Sequence, residues 1–463
     1  MYKIPKKMIN RMTLMLATLF LAVVGASAAP YTDLYDFTAL SSTDTNLDGS
    51  GPMADLVLSS NMLYGTAADG GTNGLGTIFA ISTDGHVFTN LHNFDQATNG
   101  AGPLASLVVS GNRLYGTTRA GGSNGLGTVF GISTNGKVFV ILHQFGGSLI
   151  EDPTTGLNYN GGGAFPETDL VLSNNTLYGA TEQGGSGGNG TLFKIGTDGS
   201  GFSLLHNFTN VDGGYPSVHM VLSGSNLFGA TRFGGSFYTN SDGGNGTLFR
   251  IDTNGLDFTN LYSFGDFAAD PFAGLVLSGN TLYGTTVLGS GSPDTAPYGT
   301  VFKINTDGTG FTTIYSLDPE LGGGDPSAGL VISGNTIYAT ELGFDYGGTV
   351  FAVNTDGTGY TNLTSFNSPG VPESLTGLLL SGGTLYGSAW NGGANGSGEL
   401  FALTLQPTLN IQLIQNAVVL NWNNPSSSLS TAPTINGIFT NIAGAKSPYT
   451  NSITAPQQYF QLK

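Results

Sequence analysis

Short apolar runs separated by turn residues recur along almost the whole chain. Each unit has an apolar run ending in Ser, a segment centred on an aromatic residue, a Gly-Thr-aliphatic-Phe run, and a last segment with an aromatic residue ahead of Leu or Ile. The second segment marks seven units, at Tyr64, Tyr115, Tyr178, Phe228, Tyr283, Tyr338 and Tyr386. Four short β-type runs in about 50 residues are typical of one propeller blade. The pattern therefore predicts an all-β, seven-bladed β-propeller.

The turn between the third and fourth segments carries Asp-Gly or Asn-Gly in six units. These dipeptides start at Asp84, Asn135, Asp198, Asn254, Asp307 and Asp356. They supply the positive φ angles of tight hairpin turns. After the first 28 residues no helical period is sustained, so we expect helices to be nearly absent.

The fourth segment is offset across the two ends of the repeat region. It occurs before the first unit, at residues 31–37, and it is missing after the seventh, where the chain leaves through residues 401–404. The offset predicts that the N-terminal strand supplies the outermost strand of the seventh blade. Such closure removes an open sheet edge that would otherwise promote aggregation.

The pattern divides the chain into three parts. Residues 1–28 have a basic start, an apolar run over residues 12–25 and the triplet Ala26-Ser27-Ala28, which are the marks of a signal peptide. Residues 29–406 form the predicted propeller, and residues 407–463 a small β-sandwich-like C-terminal module. We expect a secreted protein (periplasmic, on the outer surface or extracellular) with no transmembrane helix after cleavage.

Charge and composition exclude several classes of function. Four of the 13 Lys and Arg residues lie in the signal peptide, so nine face 30 Asp and Glu in the mature chain, a net charge of −21. Nucleic acids and anionic membranes are bound through Lys and Arg, so neither is an expected partner. The chain has no Cys, which excludes disulfides, Cys-based metal sites and thiol catalysis. We expect a monomer.

The repeat unit has a recognisable relative. The segment Leu-Val-Leu-Ser-Gly-Asn-Thr-Leu-Tyr-Gly-Thr-Thr at residues 275–286, followed by Gly-Thr-Val-Phe at 299–302, resembles the GloVer tandem repeat of exported bacterial proteins. The resemblance covers about residues 31–405. It implies a secreted repeat protein with a variable C-terminal attachment region and no catalytic residues. The seventh copy departs from the pattern, with Glu399 in place of Thr and Ser374 in place of Pro.

The connections of the blades differ in length on the two faces of the predicted ring. Hairpins between segments one and two, and between three and four, are nearly constant, whereas the other connections vary widely. Binding residues collect on variable loops held by a rigid scaffold, so we expect the ligand on this loop-rich face. Four residues that follow the second segment are the candidates: Arg119, Glu182, Arg232 and Trp390. Arg, Trp and a carboxylate suit glycan or peptide recognition; hydrogen bonding within the loops is the alternative.

One segment has the oxygen spacing of a calcium loop. Asp44, Asn46 and Asp48 alternate ahead of Gly49, and Asp55 holds the twelfth position. Calcium is thus the one candidate cofactor. Other units also carry Asn-Gly or Asp-Gly where Asp48-Gly49 stands, so a repeat turn explains half of the motif.

Two further sets of polar residues occupy equivalent positions in successive units. Asp55, Ser106, Asp169 and His219 precede the innermost strand in blades 1 to 4, where they could bind a cation; we expect them to be solvated at the lip of the central channel. Three histidines recur in the outer strands, and we expect them to pack there: His92, His143 and His206.

Three functional hypotheses follow. The first is a non-catalytic scaffold that binds a glycan or a protein on the loop-rich face. The second is a glycan-active hydrolase or lyase whose carboxylates come from Glu151, Asp152, Glu182, Glu341 or Asp345. The third is a structural component of a surface layer.

Overall fold

A computed structural model of the chain describes most of the residues from Pro30 to Leu462. The described residues are 30–147, 149–151, 158–216, 219–236, 244–265, 270–289, 299–317, 324–326, 328–342, 347–366, 375–405, 409–414, 417–422, 427–432, 438, 440–452 and 459–462. The predicted signal peptide lies outside them. The described residues form strands joined by turns and irregular loops; they include no helix and hence none that could span a membrane.

Seven four-stranded antiparallel sheets form the blades of a β-propeller, which confirms the predicted fold class. From the inside outwards, blade 1 contains Val57–Ser59, Met62–Ala67, Thr77–Ser82 and Phe88–Asn93. Blade 2 contains Val108–Ser110, Arg113–Thr118, Thr128–Ser133 and Phe139–Gln144. Blade 3 contains Val171–Ser173, Thr176–Thr181, Thr191–Gly196 and Ser203–Asn207.

The remaining blades repeat this order. Blade 4 contains Val221–Ser223, Asn226–Phe233, Thr247–Asp252 and Thr259–Ser263. Blade 5 contains Val276–Ser278, Thr281–Thr286, Thr300–Asn305 and Thr312–Ser316. Blade 6 contains Val331–Ser333, Thr336–Glu341, Thr349–Asn354 and Thr361–Ser365. Blade 7 contains Leu379–Ser381, Thr384–Ala389, Glu399–Thr404 and Tyr31–Asp36.

The N-terminal strand closes the ring as the offset of the repeat predicts. Tyr31–Asp36 pairs antiparallel with Glu399–Thr404, from Tyr31 opposite Leu403 to Asp36 opposite Glu399. The Tyr31 hydroxyl donates a hydrogen bond of 2.8 Å to Glu399 Oε1. Glu399, the departure from the repeat in the seventh copy, therefore fixes the closing strand.

The Leu-Tyr-Gly element has a packing reason. A Cβ at Gly65 would lie 2.5 Å from the ring of Phe79 on the neighbouring strand. The glycine therefore leaves room for the Phe79 ring, which is fully buried in the core between blades 7 and 1. The same Gly and Phe pairing recurs in blades 2 to 5 and 7, where every added Cβ would strike the equivalent ring.

Aromatic side chains join the outer parts of consecutive blades. The ring of His92 stacks on Phe139 of the next blade at a centroid distance of 4.0 Å, and His143 stacks on Phe202 at 3.7 Å. His206 stacks on Phe258 in the same way. Burial lowers the pKa of His92 and His143. The three histidines thus pack in the outer strands of the blades, as expected.

Strands outside the seven blades complete the fold. Two two-residue strands, Ile150–Glu151 and Asn158–Tyr159, form a hairpin, and Gly214–Pro216 adds to the sheet of blade 4. The C-terminal residues form two three-stranded sheets. One contains Leu409–Ile414, Ala417–Trp422 and Tyr449–Ser452, and the other Leu429–Ala432, Thr440–Asn441 and Tyr459–Leu462.

Candidate functional site

Two sets of equivalent residues lie on the loop-rich face. We call the residue four positions after the central aromatic residue of the second strand the rim residue: Ala68, Arg119, Glu182, Arg232, Val287, Leu342 and Trp390 in blades 1 to 7. The pre-proline residue precedes the proline at the entrance of blades 1 to 6: Gly51, Gly102, Phe165, Tyr215, Asp270 and Asp325. The two are joined through the backbone, since the Arg119 N–H donates to Gly102 O at 2.9 Å and the Glu182 N–H to Phe165 O at 3.0 Å.

The pre-proline residues of blades 3 to 6 have left-handed backbone although none is glycine. Their φ angles are 58° at Phe165, 54° at Tyr215, 54° at Asp270 and 53° at Asp325. This conformation is costly for a residue with a side chain, and such outliers concentrate at functional sites. In blades 1 and 2 glycine serves at the same place, so the fold itself requires no side chain there.

The side chain of Arg119 extends from blade 2 and contacts blade 3. Its guanidinium forms an ion pair with Glu167, lies 3.8 Å from Glu182 Oε2, and stands over the ring of Phe165 at 5.4 Å. The aromatic ring is the pre-proline residue of blade 3, and Glu167 directly follows that proline. The structure thus brings two of the predicted binding residues, Arg119 and Glu182, into contact.

Arg232 makes the corresponding connection from blade 4 to blade 5. It forms a bidentate pair with Asp270, with N···O distances of 3.0 and 3.2 Å, and stands over the ring of Phe272 at 4.4 Å. Here the acid is the pre-proline residue and the aromatic ring follows the proline, the reverse of blade 3. Both arginines therefore connect neighbouring blades.

Glu182 combines burial with a carboxylate oxygen that lacks a hydrogen-bond donor within the described residues. Its side chain is about four-fifths buried, and within the described residues its Oε2 atom accepts no hydrogen bond. Burial, and then the neighbouring charge of Glu167, raise its pKa to about 7, while Arg119 and Arg232 act in the opposite direction. Burial also raises the pKa of Tyr215, with a further contribution from Glu182. These residues form one polar cluster across blades 2 to 4.

Trp390 lies apart from that cluster, at the junction of blades 7 and 1. A Cβ on Gly51 would be 2.7 Å from both Cδ1 and Nε1 of the indole, and the side chain is 43% exposed. Within the part of the chain that the structure describes, Trp390 contacts none of Arg119, Glu182 and Arg232 in a hydrogen bond, ion pair or ring contact. The four predicted binding residues thus lie on one face but do not form a single cluster.

The other predicted carboxylates that the structure describes, Glu341 and Glu151, do not join the cluster. Glu341 is 2% exposed, burial raises its pKa to about 7, and it accepts a hydrogen bond of 3.2 Å from the Tyr360 hydroxyl. Glu151 is exposed on the small hairpin. Asp152 and Asp345 lie outside the described residues.

The four residues of the calcium motif have separate roles. Asn46 holds the turn, because its side chain bonds the backbone of Thr38, Gly49 and Gly71. Asp48 accepts hydrogen bonds from Tyr35 and Thr38 of the closing strand and its exit. The carboxylate of Asp55 faces His219 in the channel, while Asp44 lies near Asp69.

The acidic side chains of the motif do not converge on one point among the described residues. No group of three or more His, Asp or Glu side chains within the described residues is placed to hold a metal ion. Calcium binding at Asp44, Asn46, Asp48 and Asp55 stays a prediction from the sequence.

The residues at the channel lip form a closed polar circuit instead of a solvated ring. His219 of blade 4 bonds Asp169 of blade 3 through Nδ1, and its Nε2 lies 3.2 Å from Asp55 Oδ2 of blade 1. Because blades 1 and 4 are not neighbours, this pair crosses the channel. The Asp55 N–H donates to Ser106 Oγ at 3.0 Å, and the Ser106 N–H donates to Asp169 Oδ1 at 2.6 Å. The expectation of independent solvated residues was wrong.

Glycines on the other three blades make room for this circuit. An added Cβ at Gly274 would overlap the Cβ of His219, and one at Gly377 would overlap the Asp55 carboxylate. The two carboxylates raise the pKa of His219 well above its ordinary value, against the opposing effect of burial. With a carboxylate at each ring nitrogen, both nitrogens donate and the imidazole is charged.

Comparison with known families identifies the repeat. The Gloeobacter/Verrucomicrobia repeat matches three overlapping stretches, residues 27–237, 154–295 and 238–447. The chain belongs to this repeat family. Curated protein sequences gave no significant match.

Solved structures similar to this Gloeobacter/Verrucomicrobia repeat protein show the fold alone. An oligogalacturonate lyase in complex with manganese is 9% identical, with a TM-score of 0.52, and the match covers 82% of this chain and 94% of the lyase. U3-55K is 12% identical, with a TM-score of 0.51 and coverage of 82% and 100%. The WD40 repeats of RRP9 are also 12% identical, with a TM-score of 0.51 and coverage of 82% and 99%.

The sequence pattern did not indicate several residues of the candidate site in this repeat protein. Glu167, Tyr215, Asp270 and Phe272 flank prolines at the blade entrances, one blade after the residue they contact. One signal was available: blades 1 and 2 have Gly before the proline, and blades 3 to 6 have Phe, Tyr or Asp. A bulky or charged residue where glycine suffices marks a position with a further role.

Proposed function

We propose that this chain is an exported, non-catalytic binding protein that takes a glycan on its loop-rich face. The observation that carries the proposal is Glu182, a largely buried carboxylate whose Oε2 accepts no hydrogen bond within the described residues. A buried acceptor without a donor is costly, and a ligand hydroxyl would supply that donor. Arg119 and Tyr215 beside it add a donor and an aromatic hydroxyl.

Export is supported by two independent features. The first 28 residues combine basic residues, an apolar run and a small-residue cleavage triplet. The family resemblance implies exported bacterial proteins. The net negative charge of the mature chain favours solubility and disfavours contact with anionic surfaces.

The experiment is a screen on a glycan array followed by titration of the best ligand against matched variants. Glu182→Gln keeps the size of the side chain but removes its charge, and Asp257→Asn removes one exposed carboxylate from a turn of the constant face. A hydrogen bond to a charged group contributes about 1.5–3 kcal/mol, so Glu182→Gln should weaken binding by about 10- to 100-fold. Asp257→Asn should leave it unchanged.

The pH dependence gives a second readout. Because the pKa of Glu182 is about 7, the carboxyl ionises between pH 6 and pH 8. The ionised form accepts hydrogen bonds more strongly, so affinity should rise with pH in wild type and stay flat in Glu182→Gln. Equal pH profiles for the two proteins, or an unchanged affinity in the variant, would exclude this site. If only a protein-binding screen gives a ligand, the partner of this face is a protein and not a glycan.

One observation favours a second candidate, a glycan-active hydrolase or lyase. Glu182 and Glu167 form a carboxyl pair, and a pKa of about 7 keeps part of Glu182 protonated near neutral pH, as a general acid needs. Incubation with a panel of polysaccharides, with detection of new reducing ends and of unsaturated ends, distinguishes the two. Product formation that Glu182→Gln abolishes would establish the enzyme instead of the binding protein.

A further inference from the structure

The junction of blades 7 and 1 departs from the contact scheme of the other rim residues. In blades 2 and 4 the rim residue is an arginine that meets an acid and an aromatic ring in the next blade. In blade 7 it is Trp390, and blade 1 presents Gly51 and Met53 at the two corresponding positions. The rim residue there has neither a carboxylate partner nor a ring stacked on it among the described residues.

Trp390 is left open to solvent by this departure. The indole is 43% exposed, and Met53 is 42% exposed. Exposed aromatic and apolar side chains set on a rigid scaffold of strands are typical of binding surfaces. A planar apolar surface of about the size of one sugar ring is therefore available on the loop-rich face.

Gly51 fits this indole specifically. Its φ is 67°, close to the values at the equivalent Phe165 and Tyr215, so this backbone conformation does not by itself demand glycine. A Cβ at Gly51 would stand 2.7 Å from the indole, inside contact distance. The glycine therefore allows Trp390 to lie against the backbone of blade 1.

A carboxylate borders the same glycine. The Cβ position of Gly51 is 3.5 Å from Asp69 Oδ2 and 2.7 Å from the indole, which puts the carboxylate and the ring within about 6 Å of each other. Asp69 is exposed, and its partial burial and the charge of Asp44 raise its pKa. A carboxylate beside an aromatic plane can accept hydrogen bonds from the hydroxyls of a ring stacked on that plane.

We infer that Trp390, Gly51 and Asp69 form a subsite for one neutral pyranose unit of a glycan. The axial C–H groups of the sugar would lie on the indole, and its equatorial hydroxyls would reach Asp69. The inference rests on the proposed function, since it names the ligand class and a second contact point on the same face. It is independent of Glu182, which lies in blade 3.

The fluorescence of Trp390 can report binding at this subsite. It has two tryptophans, the exposed Trp390 and Trp422, which is 5% exposed in the C-terminal strands. Wild type is titrated with cellohexaose, laminarihexaose, xylohexaose and mannohexaose while tryptophan emission is recorded. At least one of these neutral oligosaccharides should change the emission saturably, and Trp390→Phe should remove most of that change.

Affinities for the responding oligosaccharide are then measured by calorimetry on matched variants. Trp390→Ala and Asp69→Asn should each weaken binding by at least about tenfold, and Trp390→Phe should weaken it less because a smaller ring remains. Leu256→Ala removes an exposed apolar side chain from a constant-face turn and should have no effect. Unchanged thermal unfolding verifies that each variant is folded.

Each outcome separates this inference from the proposed function. Loss of binding in Trp390→Ala and Asp69→Asn supports the subsite, whatever Glu182→Gln does. Loss in Glu182→Gln alone overturns the subsite and leaves the proposed function standing. Wild-type binding that none of these variants weakens overturns both sites, and no saturable response to any of the four oligosaccharides overturns the inference.

Discussion

Replacement of His219 by glutamine is the sharpest test of the polar circuit that crosses the channel. The side chain bonds Asp169 through Nδ1 and lies 3.2 Å from Asp55 through Nε2, and the three side chains are only 12–22% exposed. His219→Gln removes the positive charge, and the two carboxylates then face each other across the channel. Hydrogen bonds to charged groups contribute about 1.5–3 kcal/mol each, and loss of one member of a buried pair costs about 3–5 kcal/mol. Because the glutamine amide can still donate to one carboxylate, we expect a loss of about 3 kcal/mol.

The expected change in melting temperature follows from the size of the ring. At about 2.1 cal/mol/K per residue, a ring of about 375 residues unfolds with an entropy of about 0.8 kcal/mol/K. A loss of about 3 kcal/mol therefore lowers Tm by about 4 °C. Differential scanning calorimetry resolves such a shift.

The pH dependence identifies the charge as the cause. The folded-state pKa of His219 is raised, so its contribution is fully present below its unfolded pKa of about 6.5 and is lost as pH rises through the folded value. The difference in Tm between wild type and His219→Gln should be largest at pH 6 and should shrink at alkaline pH.

His143→Gln is the matched control, with the opposite sign. This ring stacks on Phe202, and burial lowers its pKa, so its stabilising contribution is present above pH 6.5 and falls as pH drops. A His219→Gln protein that melts like wild type at pH 6, or a difference in Tm that grows with pH, would refute the charged bridge.

Three further predictions concern the ring and its export. Gly274→Ala should destabilise the fold by roughly 2 kcal/mol or more because its Cβ overlaps His219; in a His219→Gly background, where that overlap is absent, the same change should cost much less in urea unfolding. Deletion of residues 31–36 removes the outer strand of blade 7, so light scattering should show aggregation on mild heating; a variant that melts and scatters like wild type would contradict closure. Intact mass of the exported protein should correspond to a chain that begins at Ala29, and a mass that includes residues 12–25 would show an anchor instead.

The architecture could be predicted from the sequence because the repeat encodes it locally. Tyr-Gly in the second strand and Phe in the third are neighbours across one sheet, and the Asp-Gly turns join adjacent strands. Closure could also be predicted, since the segment at residues 31–37 precedes the first unit and has no counterpart after the seventh. Each of these features depends on counting repeats, not on distances between remote residues.

The contacts of the candidate site depend on which blades are neighbours and on which side chains cross between them. Arg119 and Arg232 could be selected as rare cations at equivalent positions, but their partners lie in the next blade, with acid and aromatic ring in opposite order. Asp55 and His219 could be placed at the channel, yet no pattern along the chain indicates that one reaches the other. That contact depends on the space left by Gly274 and Gly377.

The closing strand imposes an order on the biogenesis of the molecule. Tyr31 is among the first residues of the ring to be synthesised, and its partner Glu399 comes 368 residues later. Until then the strand has no sheet to join, whereas blades 1 to 6 take all four strands from contiguous sequence. Bringing such distant segments together is entropically costly and slow, so we expect ring closure to be the last step of folding. A chain that crosses a membrane unfolded would therefore complete its ring only after the seventh blade has emerged.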